Sequence, residues 1–362
     1  MDEAVQLIRD LVRFPTTEGN PAAIRSCAAY ISSCLKRKGI IVREHERNGK
    51  ISVVALFEDT KSPDIFLNAH FDVVPASSPL FEPRQEGGKL YGRGSEDCKA
   101  QVALLILLMQ HFSKGKEKPS IGIMLTSDEE VHGADGVRFL IEDLGYRCKF
   151  AVVADGGDNF DIVTKHKGVL QVRVSAAGKT AHSSRYWEGG ENAIEKLMGA
   201  YSKIKKMFPV LSGPEWKTTA TLSKIAGGKA LNQVPDYAEL YLDIRLTEND
   251  SEDSVMKQLS SVGGISVEKV ASCGMLNTDV NNKYISLLQK SAELVLKRKV
   301  RTYYEHGATD ARYFSEAGIP AILFKPIGFG AHSETEHVLI SSLEPYFNIM
   351  LDFISHAARK LT

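Results

Sequence analysis

Apolar and polar positions follow two different periods along this chain of 362 residues. In most of the chain, short runs that are apolar at nearly every position alternate with stretches of helical periodicity. The apolar runs predict strands at 51–57, 65–69, 120–125, 150–154 and 321–324. The helical stretches predict helices at 2–11, 21–38, 100–109, 284–296, 310–317 and 343–360. Strands that are apolar on both faces are typical of a mostly parallel sheet flanked by helices, so we expect an α/β fold.

The period changes near residue 168. The segment 169–175 alternates between apolar and polar side chains, as a strand with one solvated face does. A helix, two half-polar strands, a second helix and a last strand follow at 191–207, 218–225, 238–246, 253–260 and 265–270. This order is the split βαβ plan of a small ferredoxin-like α+β domain. We therefore predict a domain inserted at 168–272 into a discontinuous catalytic domain formed by 1–167 and 273–362.

Composition and charge argue against nucleic-acid-binding and membrane proteins. Lys+Arg and Asp+Glu both number 45, so the chain has no net charge to attract nucleic acid or an anionic membrane. No apolar run approaches the length needed to span a bilayer, and the first residues lack the pattern of a signal peptide. The five scattered cysteines are typical of reduced thiols. We expect a cytoplasmic protein with neither a nucleic-acid nor a membrane partner.

Side chains that commonly bind metals follow the predicted strands. Asp128, Glu129 and Glu130 stand together just after the strand at 120–125. Taken alone, a run of acids is more often a solvated face than a site. Further acids and histidines lie beyond other strands or before helices: His70, Asp72, Asp97, Asp155 and His332. Because ligands of open α/β sheets bind at the carboxyl ends of the strands, this set predicts a site for zinc or a similar ion.

Six motifs resemble those of the co-catalytic di-zinc hydrolases. This family includes acetylornithine deacetylase, succinyl-diaminopimelate desuccinylase, aminoacylase, peptidase T and the bacterial glutamate carboxypeptidase. The motifs are NAHFD (68–72), YGRGSEDCK (91–99), TSDEE (126–130), ADG (154–156), GKTAHSS (178–184) and AHSETE (331–336). The resemblance covers nearly the whole chain, inserted domain included, and it implies the zinc-peptidase-like fold.

The resemblance also implies a ligand set for two divalent metal ions. Asp97 would bridge the ions, with His70 and Asp155 completing one site and Glu130 with His332 the other. The metals would be zinc, with cobalt or manganese as alternatives, since sequence does not separate them. A cis peptide bond after the bridging aspartate is common in the family, so we expect one between Asp97 and Cys98.

Two further acids have implied roles in the reaction. Asp72 would accept a hydrogen bond from the far nitrogen of His70 and so fix the tautomer of that ring. Glu129, next to a ligand without being one, would be the general base for a water bridging the metals, and the same carboxyl would pass the proton to the departing amine. The implied reaction is hydrolysis of an amide bond.

The inserted domain would contribute to the active site of a second subunit. In the family, the residue matching His182 reaches into the partner's site and stabilises the oxyanion, which implies a homodimer formed through the inserted domains. Asn232 and Arg245 match positions that hold the substrate's carboxylate, a task suited to the planar fork of arginine. A salt bridge between Arg245 and a neighbouring acid is the alternative. Thr309 matches a loop that lines the substrate pocket.

The chain departs from the family pattern at a few positions. Cys98 stands where an apolar residue such as Met is usual, and Ala100 where Gly is usual. At Asp155 the deacylases and carboxypeptidases of the family more often carry Glu, which favours peptide substrates slightly. No chemistry is assigned to three histidines outside the motifs: His132, His166 and His306.

The resulting hypothesis is a metal-dependent amidohydrolase or metallopeptidase that acts on an N-acyl amino acid or a short peptide. It covers deacetylases, desuccinylases and di- or tripeptidases, and an aminopeptidase or carboxypeptidase of the same fold is the alternative. A single-domain zinc aminopeptidase shares the order of ligands but lacks the segment 168–272. A non-catalytic binding protein of this fold is a remote alternative, because such a protein should have lost ligands or Glu129.

Overall fold

The computed structural model describes residues 1–360, and the chain divides into two compact units. The first unit comprises Met1–Lys165 together with the chain from Leu276 onward, and the second comprises His166–Met275. The boundaries expected from the sequence lay at 168 and 272. Among the described residues, no helix combines the length and the apolar character needed to cross a membrane.

Eight helices and seventeen strands are present in residues 1–360. The helices are α1 (Asp2–Val12), α2 (Pro21–Leu35), α3 (Lys99–Ser113), α4 (Ala193–Ile204), α5 (Glu252–Ser260), α6 (Lys283–Leu296), α7 (Ala311–Glu316) and α8 (Ile340–Lys360). The strands are β1 (Ile41–Arg47), β2 (Lys50–Leu56), β3 (Ile65–His70), β4 (Arg84–Glu86), β5 (Lys89–Tyr91), β6 (Ile121–Thr126), β7 (Phe150–Val153), β8 (Ile162–His166), β9 (Gly168–Ala177), β10 (Thr219–Gly227), β11 (Tyr237–Leu246), β12 (Ser266–Cys273), β13 (Leu276–Asn277), β14 (Thr302–Glu305), β15 (Ala321–Leu323), β16 (Gly328–Phe329) and β17 (His337–Leu339). The predicted helices agree with these bounds to within a few residues.

The first unit is built on a nine-stranded sheet. Its strand order is β1-β2-β6-β3-β7-β15-β8-β13, with β14 paired to β8. Strands β6, β3, β7 and β15 run parallel, whereas β1–β2, β2–β6 and β15–β8 are antiparallel pairs. The α/β class predicted from the sequence is confirmed, but parallel pairing is limited to the centre, so the sheet as a whole is mixed.

Both faces of this sheet are buried, which explains its continuously apolar strands. Along β2, Val53 and Ala55 pack with α1, α2, α3, α6 and α8, whereas Val54 and Leu56 pack on the opposite face with the region around α7. Successive side chains of a strand point to opposite faces, so both sets of positions must be apolar. Because the centre of the sheet is buried, polar side chains are expected at the edge where the carboxyl ends of the parallel strands lie.

The sequence did not predict strands β8, β13 and β14, nor two further parts of the first unit. Strand β1 pairs with β2 through a turn at Asn48 and Gly49, which both have positive φ as two-residue hairpin turns require. Its side chains are mostly polar because it forms an edge of the sheet. The second part is a small sheet of very short strands in the order β16-β17-β5-β4. The loop between β16 and β17 carries His332.

The second unit has the element order β-α-β-β-α-β. Its sheet has the order β10-β11-β9-β12, and all three strand pairs are antiparallel. The apolar positions of β9 and β11 pack under α4 and α5 around Leu197, Leu240 and Leu259. This is the split βαβ arrangement, in which one face of the sheet is covered by helices and the other is left polar.

Candidate metal centre

The central parallel strands bring three ligand-bearing segments to one edge of the sheet. His70 is the last residue of β3, Asp155 follows the end of β7 by two residues, and Glu129 begins a short 3₁₀ turn after β6. Because β6, β3 and β7 are parallel neighbours, their carboxyl ends meet at the same edge. The sequence order of these acids and histidines therefore becomes a spatial cluster.

Two loops complete the cluster. Asp97 lies directly before α3, and the peptide bond between Asp97 and Cys98 is cis, which confirms the expectation from the sequence. Asp97 Oδ1 lies 2.9 Å from His70 Nε2, and its Oδ2 lies 3.2 Å from His332 Nε2. Glu130 Oε1 is 3.1 Å from the same nitrogen of His332. Each oxygen of Asp97 thus faces a different histidine.

Two groups of donor atoms in this cluster combine histidine with carboxylates alone, and a third consists of His70, Asp97 and Cys98. His70, Glu129 and Asp155 form one group, and Asp97, Glu130 and His332 form another, with the donor atoms of each group within 4.8 Å of one another. Imidazole nitrogens combined with carboxylate oxygens are the donors that zinc and similar ions bind in proteins. The donor chemistry therefore fits two divalent ions, with Asp97 between them.

The carboxyl groups are held together at an electrostatic cost. Burial raises the pKa of Asp155 to about 7, and the neighbouring Asp97 adds to this rise. Burial also raises the pKa of Glu129 well above its ordinary value, with Asp155 as the next cause. For Asp97 burial acts in the same direction, but hydrogen bonds from His332 and His70 outweigh it and lower the pKa. Bound cations would offset the repulsion among these carboxylates.

Asp72 joins the histidine to the turn that carries the two glutamates. His70 Nδ1 lies 3.0 Å from the main-chain oxygen of Asp72 and 3.4 Å from its Oδ1. With Nε2 bound to a metal, Nδ1 would carry the proton and donate it to these acceptors. The Asp72 carboxylate also accepts hydrogen bonds from the main-chain N–H groups of Glu129 and Glu130, at 3.3 Å and 3.0 Å.

The thiol of Cys98 ties the Asp97 loop to β3. The main-chain N–H of His70 donates to Cys98 Sγ at 3.2 Å, and the thiol lies 3.3 Å from the main-chain oxygen of His70. Burial raises the pKa of this thiol to about 12. A protonated thiol at this position can donate to the strand, which an apolar side chain could not do.

Comparison with known proteins identifies the family. The family model for peptidase family M20/M25/M40 matches residues 66–356, which is most of the chain. The chain belongs to this family. It is therefore a metal-dependent hydrolase, and the family expected from the motifs is confirmed.

The similar proteins are named for different activities. A probable succinyl-diaminopimelate desuccinylase of Staphylococcus aureus strain Mu50 is 27% identical over 361 residues, covering 86% of this chain and 87% of that protein. The structure of aminopeptidase PepT from Bacillus cereus aligns over 99% of both chains with a TM-score of 0.83 and 20% identity. A dinuclear metal-binding peptidase of the M20 family from Bacillus subtilis aligns over 99% of this chain and 98% of that one, with a TM-score of 0.72 and 13% identity.

In this M20 peptidase, a buried carboxylate that the sequence did not single out supports Asp97. The side chain of Glu336 is fully buried. Its Oε1 accepts hydrogen bonds from the main-chain N–H groups of Glu96 and Asp97, at 3.1 Å and 3.2 Å, and its Oε2 accepts from the guanidinium of Arg93. Lys325 forms a buried ion pair with Glu96. Glu336 and Arg93 lie inside the recognised motifs, but their contacts, about 240 positions apart in sequence, could not be read from spacing.

Thr309 lies in the first unit beside a predicted ligand. It is buried just before α7, and its Oγ1 accepts a hydrogen bond from the N–H of Ala311 at 3.2 Å. Its methyl group lies 3.7 Å from the position that a Cβ on Gly156 would occupy. Gly156 follows Asp155 and has a φ of +93°. Thr309 is thus close to the metal cluster.

The other three predicted residues belong to the second unit and do not all come together within it. His182 is exposed, with Nδ1 2.8 Å from Ser184 Oγ, and the adjacent Ser183 N–H donates to Asn232 O at 3.0 Å. His182 and Asn232 therefore lie on neighbouring loops. Arg245 is near the other end of β11, where its Nε donates to Asp243 at 2.7 Å, so the alternative salt bridge is present.

The register of β9 and β11 gives the separation. Tyr237 pairs with Ala177 at the end next to the His182 loop, whereas Arg245 pairs with Val169. Eight residues of extended strand span roughly 26 Å. A small substrate cannot contact both ends of this strand.

Proposed function

We propose that this M20 peptidase hydrolyses the amide bond of an N-acyl amino acid or a short peptide at the Asp97 cluster. The observation that carries the proposal is that the two oxygens of Asp97 face two histidines, one from each group of donor atoms. A carboxylate placed in this way could be shared by two ions. The fold shared with a dinuclear metal-binding peptidase of Bacillus subtilis supports it.

The five ligands divide between the ions as the motifs imply. His70 and Asp155 would hold one ion and Glu130 with His332 the other, with Asp97 shared. Zinc suits this mixture of imidazole and carboxylate, and cobalt or manganese are the alternatives. Ions held there would supply Lewis acidity, which would acidify a water molecule and polarise the substrate carbonyl.

Glu129 would act as the general base. Its carboxylate lies within 4.8 Å of the donor atoms of His70 and Asp155, and we assign it as the base because the motifs imply the other five residues as ligands. Burial, with Asp155 as the next cause, raises its pKa well above the ordinary value, so this carboxyl binds a proton readily. It would take a proton from the attacking water and give that proton to the leaving nitrogen.

The second unit would complete the site of another copy of the chain. Arg245 and the His182–Asn232 pair lie roughly 26 Å apart along β11, so both can serve one small substrate only if they come from different copies. His182 would then donate to the oxyanion, and Arg245, Asn232 and Thr309 would hold the substrate. Large apolar side chains exposed on this unit, Tyr186, Trp187 and Leu231, are suited to an interface.

Two substrate classes are proposed, an N-acyl amino acid and a short peptide. The relative from Staphylococcus aureus is named for removal of a succinyl group, whereas the neighbour from Bacillus cereus is an aminopeptidase. Asp155, where deacylases more often carry Glu, favours the peptide. All five cysteines are free thiols, which agrees with the cytoplasmic location that we propose.

A panel of substrates tests the proposal. The zinc-loaded protein and a chelated sample would be incubated with acetylornithine, succinyl-diaminopimelate, several N-acetyl amino acids and a few dipeptides and tripeptides. We expect cleavage of at least one member by the loaded protein alone, and the preferred member would define the pocket. Equal cleavage by the chelated sample, or no metal bound after loading, would contradict the proposal.

A further inference from the structure

The turn that carries Glu129 is fixed at both ends. At its start, the Asp72 carboxylate accepts hydrogen bonds from the main-chain N–H groups of Glu129 and Glu130. At its end, His132 has a φ of +85°, and its N–H donates to the main-chain oxygen of Glu129 at 3.1 Å. The His132 N–H therefore closes the turn onto the main chain of Glu129.

Two side chains from α7 hold the next peptide group of the turn, at the main-chain oxygen of His132. Arg312 Nη2 donates to the main-chain oxygen of His132 at 2.7 Å, and the hydroxyl of Tyr313 donates to the same oxygen. Arg312 is only 4% exposed, and its Nη1 donates to the main-chain oxygen of Thr309 at 3.0 Å. Hydrogen bonds from a charged donor are stronger than those from a neutral one. The guanidinium thus links the Glu129 turn to the loop that lies beside Asp155.

Close packing between Gly133 and the start of α7 also connects the Glu129 turn to this helix. The carboxyl of Asp310, at the start of α7, lies 2.0 Å from the position that a Cβ on Gly133 would occupy, and Gly133 has a φ of +61°. Only glycine fits both this contact and this conformation. The residue after His132 therefore packs directly on α7, so the turn and the helix must move together.

We propose that Arg312, assisted by Tyr313, is a positioning residue that sets the place of the Glu129 carboxylate through the His132 carbonyl. The inference rests on the proposed role of Glu129 as general base. A base must lie within hydrogen-bond reach of the proton that it accepts, and small displacements of reacting groups reduce rates strongly. Arg312 touches neither the donor groups nor the reacting atoms in this role. It acts through the main chain.

The test combines substitutions in a double-mutant cycle. Arg312→Lys keeps the charge and removes the fork, and Tyr313→Phe removes only the hydroxyl. Each is made with Glu129 present and in a Glu129→Ala background, and kcat, KM and bound zinc are measured with the preferred substrate at high enzyme concentration. With Glu129 present, we expect Arg312→Lys to lower kcat about tenfold, with KM and bound zinc nearly unchanged. In the Glu129→Ala background it should cause no further loss, because the group that it positions is absent.

A matched control separates this effect from the general loss of an arginine. Arg43 donates to the main-chain oxygen of Thr60 at 3.1 Å, on β1 at the edge of the sheet, and Arg43→Lys should leave kcat unchanged. If Arg312→Lys fails to fold, Tyr313→Phe provides the same comparison, with a smaller expected loss.

Two results would overturn the inference alone. One is an equal fold-loss of kcat with and without Glu129, which would show that Arg312 acts by another route. The other is unchanged kcat in both Arg312→Lys and Tyr313→Phe. Full turnover by the Glu129→Ala variant itself would instead reject the base assignment, and the inference with it.

Discussion

The two compact units hold their predicted functional side chains in opposite ways. In the first unit, side chains from three strand ends and two loops converge on Asp97, and His70 is almost fully buried there. In the second unit, His182 and Asn232 are exposed at one end of β11, and Arg245 lies at the other. The first arrangement is complete within one chain. Under the proposed dimer, the second would gain a function only when another copy of the chain brings these parts together.

The difference has an energetic basis. In the first unit, burial and neighbouring carboxylates raise the pKa of carboxyl groups such as Asp155. Such a cluster is costly without cations, so its presence indicates a binding site. Exposed side chains such as His182 carry no comparable cost, and their presence alone indicates little. Substitutions in the two units should therefore affect metal binding and turnover differently.

The largest effect is expected at Glu129. Glu129→Ala should lower kcat by about 10²–10⁴-fold, the range for loss of a general base, while two ions stay bound. Steady-state kinetics and metal analysis of the same sample would measure both quantities. The matched control is Glu130→Ala next to it, which should lose metal as well as activity. Unchanged turnover in Glu129→Ala would show that another group takes the proton.

A substitution in the second unit should remove activity without removing metal. His182→Ala should lower kcat by about 10²–10³-fold, as loss of one oxyanion donor does. Refolding it together with Glu129→Ala should restore about a quarter of wild-type activity, because half of randomly paired dimers are mixed and each mixed dimer holds one complete site. Two inactive variants that stay inactive after mixing would mean that His182 does not serve a partner.

If the hydrogen bonds of Glu336 hold Asp97 in place, their loss should lower the affinity of the protein for metal. In Glu336→Gln, one oxygen is replaced by an NH₂ group that cannot accept from the main chain of Asp97 or from Arg93. We expect zinc affinity to fall by about 10–100-fold, as for other groups that orient metal ligands. Competition with a fluorescent chelator would measure the change. Glu334→Gln in the same loop, which is exposed, should leave the affinity unchanged, and an equal loss in both variants would argue against the specific role of Glu336.

The smallest effect concerns backbone conformation beside the site. His132 has a φ of +85°, which costs a residue with a side chain about 1–3 kcal/mol. Glycine relieves this strain but loses about 0.5–1 kcal/mol through chain entropy, so His132→Gly should raise the free energy of unfolding by about 1 kcal/mol. Urea unfolding would measure this free energy. The matched control is Lys297→Gly, because Lys297 follows α6 with a φ of +55°. A loss of stability in His132→Gly alone would show that its side chain makes a stabilising contact.

The sequence predicts those site residues whose positions follow from the strand or helix next to them in the chain. Residues such as His70 and Asp155 could be identified because each follows an apolar strand, and parallel strands bring their ends together. The α/β class followed from strands that are apolar on both faces. The predicted mostly parallel sheet was only partly right, because edge strands such as β1 are polar and pair in the antiparallel sense.

Sequence did not predict contacts between distant segments. The hydrogen bonds of Glu336 to the Asp97 loop and of Arg312 to His132 join residues about 240 and 180 positions apart. The sheet containing β16 and β17 consists of strands of two or three residues, too short for any periodicity. These features depend on how loops pack together, which spacing along the chain does not encode.

The most direct test of the central claim is the number of ions bound by variants of Asp97 and its neighbours. Metal analysis of the purified, zinc-loaded protein should give two ions per chain in the wild type. His332→Ala should keep about one ion, and Asp97→Asn, which weakens both sites at once, should keep fewer than one. Two ions retained by Asp97→Asn would contradict the account, because the carboxylate between the two histidines would then not be the bridge.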